Sequence, residues 1–136
     1  MRELVLSIII AWLFAKILKT IIAWVNEKKI SWRVLFYDGG MPSTHTALVV
    51  SLATGLFLET GFSALFILGI ILALIVMNDA LKVRRITEEQ SKALNKLTQS
   101  KKGFKKLEEN VGHELADVLV SLVLGIIIPI IVYAII

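Results

Sequence analysis

Four apolar segments, Leu4 to Val25, Ser43 to Leu58, Phe62 to Leu81 and Leu115 to Ile136, dominate this chain of 136 residues. A helix needs about 20 residues to cross the hydrocarbon core of a bilayer, and three of the four runs have that length. The second is shorter, but it begins after Gly39-Gly40-Met41-Pro42 and stops at Glu59-Thr60-Gly61, so it reads as one arm of a helical hairpin with the third. The first run is long, carries Lys16 and Lys19, and lacks a small-residue cleavage site, which marks a retained helix rather than a signal peptide. The expected fold is a single all-α domain over residues 1–136, an integral membrane bundle with helices at 4–25, 43–58, 62–81 and 113–136. Connections at 26–42 and 82–112 complete it.

Charge placement then orients the bundle. Of the 15 Lys and Arg residues, 12 lie in two connections: Lys28, Lys29 and Arg33 in the first, and nine from Lys82 to Lys106 in the second. The turn at Glu59 to Gly61 has none. Basic loops stay in the cytoplasm, so both termini and that turn are expected outside, with the chain in the plasma membrane. Within the long connection, Thr87-Glu88-Glu89-Gln90 fits a capping box ahead of a narrow stripe of Ala93, Leu94 and Leu97, predicting an interfacial helix drawn to anionic lipid. The formal charge of +4 is therefore a matter of topology, and a nucleic-acid partner is not expected. With no cysteine, disulfides and thiolate metal sites are excluded.

This topology gathers polar residues at one depth. His45 opens the second helix, Arg84 and Arg85 close the third, and His113 and Asp117 open the fourth; the chain has no other histidine. In Gly39-Gly40-Met41-Pro42-Ser43-Thr44-His45, two glycines let backbone approach a ligand, and the helix start that follows offers free N–H groups to an oxyanion. Ser43 or Thr44 can cap that helix, and His45 can move a proton near neutral pH. His113 and Asp117, four apart, share a helix face on which the carboxylate can orient the imidazole. Arg84 and Arg85 suit bidentate contact with phosphate oxygens, and Asp79, deeper in the third span, requires a cationic partner. Lys16 and Lys19 share a face and either snorkel to the interface or reach the same pocket. An ordinary Gly-Pro turn and plain interfacial anchoring would account for several of these residues taken singly.

Together, Gly-Gly-Met-Pro-Ser-Thr-His at 39–45, Asp79 with Val83-Arg84-Arg85, and Gly112-His113 with Asp117 resemble the divergent branch of the type 2 phosphatidic acid phosphatase superfamily over nearly the whole chain. The resemblance implies His113 as a nucleophile forming a phosphohistidine, His45 as general acid and base, and Asp117 as the orienting partner of His113. Two features of the superfamily are missing. The Lys-x6-Arg-Pro motif is absent, leaving Lys16, Lys19 or Arg33 as substitutes, and Leu107 stands where an arginine is expected six residues before the nucleophile.

The expected function is a phosphatase acting on a lipid phosphate or pyrophosphate, needing no metal or cofactor. Gly39, Gly40, Ser43, Thr44, Arg84, Arg85, Lys16 and Lys19 would bind the head group, with Asp79 and Arg33 behind them. A homodimer or larger assembly is expected because four helices enclose little volume. Two other readings stay open: a non-catalytic membrane protein using a relic phosphate pocket to hold anionic lipid or a partner, and a lipid-phosphate enzyme with Mg²⁺ held by Asp79, Asp117 and a glutamate.

Overall fold

A computed structural model describes residues 1–27, 40–99, 103–109 and 111–136. Gly39 and Arg33, together with most of the 26–42 connection, lie outside the described residues. Among those residues the chain is all helix and connection: α1 (Arg2–Glu27), α2 (Thr44–Thr60), α3 (Ala64–Asn78), a π-helical turn (Asp79–Val83), α4 (Arg84–Thr98) and α5 (Leu115–Ile135). Three stretches are long and apolar enough to cross a membrane: Arg2–Val25, the continuous helix Ala64–Thr98, and Leu115–Ile135. At 17 residues, α2 is shorter. It rises about 25 Å, a little less than the hydrocarbon core.

The short helix is the centre of the bundle. α2 packs against α1, α3 and α5, and α1 also meets α5. Water does not drive helices together in lipid, so close approach through small residues has to do it. Gly69 of α3 lies so close to Ala53 that a Cβ there would stand 3.1 Å from the Ala53 Cα. A Cβ on Gly125 of α5 would stand 2.7 Å from the Val50 Cβ and 3.1 Å from the Ala47 carbonyl oxygen, and one on Gly55 would meet the Leu4 side chain of α1. The large side chains meanwhile point outward, Ile67, Leu68, Ile75 and Ile130 among them, as lipid-facing residues do.

Local chemistry sets the ends of these elements. Ser43 caps α2 by accepting the Thr46 N–H at 3.4 Å and the Thr46 hydroxyl at 3.0 Å. At the other end Gly61, with φ of 61°, donates its N–H to the Phe57 carbonyl, a conformation that suits glycine. Ser63 then caps α3 through the Phe66 N–H, so the expected α2–α3 hairpin closes in three residues.

Two boundaries differ from expectation. No helix starts at Thr87: α3 passes through the π turn into α4 without leaving helical backbone, and the Thr87 hydroxyl donates to the Val83 carbonyl one turn back. A residue inside a running helix has no free N–H to cap. The 82–112 connection is thus largely a continuation of the third span. The last helix begins at Leu115 rather than at 113, with the Asp117 carboxylate accepting the Glu114 N–H at 2.8 Å. His113 consequently belongs to the segment that enters the helix.

The glycine contacts predict that Gly125→Val will lower the melting temperature of the purified protein in detergent, by the equivalent of about 1–3 kcal/mol of overpacking. Combining it with Val50→Ala should recover a substantial part of that loss, as followed by thermal unfolding.

Candidate active site

The turn before α2, the π turn and the segment before α5 bring the polar residues to one end of the bundle, where α1 and α3 finish and α2 and α5 begin. The Ser43 N–H reaches the Asp117 carbonyl at 3.5 Å, tying the start of α2 to the first turn of α5. The His113 N–H donates to the Ala80 carbonyl at 3.4 Å, so the segment before α5 rests on the π turn. A cavity of about 430 Å³ opens between these parts, lined by Gly40, Gly112, His113, Asp117 and, from α4, Arg85 and Glu88. π turns inserted in helices often sit beside functional sites, and here the turn is what the His113 segment docks on.

His113 is only 3% exposed, and neither ring nitrogen has a hydrogen-bond partner among the described residues. Its Nδ1 lies 3.7 Å from the Asp117 Oδ2, an ion-pair distance too long for a hydrogen bond. The spacing of four was expected to align the two on a helix face. Instead Asp117 turns back as a capping residue toward the segment that carries His113. Burial pushes the His113 imidazole below its ordinary value, the positive charge of Lys19 adds to this, Asp117 opposes it, and Arg84 and His45 push the same way as Lys19. His45, Lys19, Arg84 and Asp117 thus all act electrostatically on the His113 imidazole.

Lys19 is 5% exposed, a buried amine in the last part of α1, and its Cε stands 3.9 Å from where a Gly40 Cβ would be. Gly40, with φ of 88°, therefore presents bare backbone to both the lysine and the cavity. Lys16 instead lies over the Trp12 ring, 4.6 Å from its centroid. The cationic partner of Asp79 is Arg84, whose Nε sits 3.0 Å from Oδ2 across the π turn. Arg85 lines the cavity and is exposed, with Glu89 3.8 Å away. Ser43 is fully buried with its hydroxyl engaged in the cap, Thr44 is buried beside it, and His45 occupies the first turn of α2.

Sequence reading did not assign Glu88, Glu89, Lys92 or Glu114 to the site, and these also line the cavity, as does Gly112 of the Gly112-His113 motif. The Glu88 carboxylate accepts the Gly112 N–H at 3.0 Å and pairs with Lys92. A Cβ on Gly112 would stand 3.0 Å from the Arg85 Cα, so the return segment lies directly on α4. Among the described residues no three His, Asp or Glu side chains gather as a metal site, and Asp79 is committed to Arg84.

Fold and cavity together define a helical membrane protein with a polar, histidine-bearing pocket at one end of the bundle. The chain belongs to the divergent PAP2 family, whose sequence pattern matches residues 1–128. It is similar to the uncharacterized membrane protein YuiD of Bacillus subtilis strain 168, at 35% identity over 93% of this chain and 90% of that protein. No solved structure matches.

Because burial in the folded protein disfavours the charged His113 imidazole, the unfolded chain takes up a proton that the folded chain resists. Stability from this group is complete above about pH 6.5, the ordinary histidine value, and is lost as pH falls toward the depressed value. Melting temperatures measured from pH 7.5 to 5 should fall over that window, and His113→Gln should flatten the slope.

Proposed function

We propose that this protein is a membrane phosphatase that removes phosphate from a lipid phosphate or pyrophosphate through a phosphohistidine on His113. The observation that supports it most is a buried imidazole, disfavoured as a cation, on the wall of a cavity that also presents Gly40 backbone and Arg85. A nucleophile needs its lone pair at working pH, and an imidazole held neutral keeps one. With Nδ1 on the Asp117 side, a proton there leaves Nε2 as the attacking atom.

In the first step the Nε2–P bond forms as the bond from phosphorus to the lipid oxygen breaks. His45 donates a proton to the departing alkoxide. In the second step water attacks phosphorus, His45 takes its proton, and the P–N bond breaks to release inorganic phosphate and restore His113. Lys19 and the arginines would offset the charge of the phosphoryl oxygens, doing the work of the arginine for which Leu107 stands. Membership of a family named for phosphatidic acid phosphatases supports the same chemistry.

Purified protein in detergent should release phosphate from short-chain phosphatidic acid, with unchanged rate in a chelator. His113→Ala should abolish release, His45→Ala should reduce it about 10²–10⁴-fold, and Asp117→Asn about 10–100-fold. Tight phosphate binding without turnover would favour a non-catalytic lipid-binding role instead.

We place the pocket on the cytoplasmic side, from the basic residues at that end of the bundle. The chain has no cysteine, so single substitutions report cleanly. In intact cells a membrane-impermeant maleimide should label Thr60→Cys, whereas Lys105→Cys should react only after lysis.

A further inference from the structure

Two of the residues that hold the segment carrying His113, Glu88 and Asn95, lie on α4 beyond the Arg84-Arg85 pair of the family motif. The segment leading to His113 runs back along α4, and each of its fixed points is a polar contact. Asn95 pairs with Leu107 from both sides of its amide, accepting the Leu107 N–H at 2.8 Å and donating to the Leu107 carbonyl at 2.9 Å. The same amide nitrogen donates to the Glu109 carboxylate at 2.6 Å. About two helical turns back along α4, the Glu88 Oε2 accepts the Gly112 N–H at 3.0 Å, and the Ala80 carbonyl accepts that of His113 itself. An amide that satisfies both N–H and C=O of one residue mimics a strand partner and fixes the register of the chain it holds. Gly112 lies five positions beyond Leu107, and with both held and the His113 N–H on the Ala80 carbonyl the His113 backbone has little freedom.

We propose that Asn95 and Glu88 are positioning residues for His113, hanging the nucleophile-bearing segment from α4 at the height the phosphoryl group requires. The inference rests on the phosphatase reading for its kinetic consequence, though not for its structural one. Glu88 also lines the cavity, so its carboxylate has two faces: one on the Gly112 N–H, the other paired with Lys92. The site that takes an arginine elsewhere in the superfamily is here used differently. Leu107 contributes its backbone to the anchor, and the neighbouring cations Lys19 and Arg84 supply the charge.

The test compares Asn95→Ala, Glu88→Ala and Glu88→Gln in full-length protein. Glutamine keeps an acceptor for the Gly112 N–H, so it separates holding from charge. With short-chain phosphatidic acid, both alanine variants should lose about 10–100-fold in kcat with KM little changed, and Glu88→Gln should retain most of the rate. Wild-type kcat in both alanine variants would overturn the proposal, as would a Glu88→Gln no better than Glu88→Ala. A second readout does not depend on turnover. In a His45→Gln background His113 is the sole histidine, and its carbethoxylation by diethyl pyrocarbonate reports its burial. Asn95→Ala and Glu88→Ala should speed that reaction several-fold while melting stays close to that of the parent. If the parent proves to have no phosphatase activity, the phosphatase reading fails alone, and an unchanged carbethoxylation rate is then what rejects the positioning role.

Discussion

The close approach of α2 to its neighbours is the constraint on which the rest of this structure depends. Helices in lipid gain little from hiding apolar surface, so they associate where backbones can come near. Gly125 against Val50, Gly69 against Ala53 and Gly55 against Leu4 make those approaches possible on three sides of one short helix. The hydroxyls buried in the same packing do not ask for partners across the bundle: Ser7, Ser51 and Ser121 each donate to a carbonyl of their own helix. Since α2 starts with the capped turn at Ser43, its seating fixes where Gly40 and His45 stand relative to α5.

The polar end of the bundle follows from that seating and from the π turn. One residue more than an α-turn allows shifts the phase of the helix between α3 and α4, bringing Arg84 onto Asp79 and the Ala80 carbonyl toward His113. A buried lysine and an arginine held by a carboxylate then both act on one buried imidazole.

Much of the architecture was legible in the residues, because long apolar runs bounded by Ser43, Gly61 and Ser63 leave few choices for where helices begin and end. The gathering of His45, Arg84, His113 and Asp117 at one end followed from counting crossings. The continuity of α3 with α4 was not legible. Thr87-Glu88-Glu89-Gln90 has the composition of a helix start, and only the helix already running through it denies it that role. Likewise the spacing of His113 and Asp117 suggested a shared helix face, whereas a cap brings them together. The anchoring role of Glu88 and Asn95 left no signal, since it is played on backbone groups 24 and 12 residues downstream, and backbone groups have no sequence.

The helix from Ala64 to Thr98 spans 35 residues, a rod of about 52 Å. One stretch is long and apolar enough to cross a membrane, the other forms a wall of the polar pocket, and only the π turn interrupts the regular winding between them. Rolling the embedded stretch by a single residue's worth, about 100°, would swing the whole outer wall away from the segment it supports. Span and pocket wall are thus one mechanical part, and neither can turn about its axis without the other.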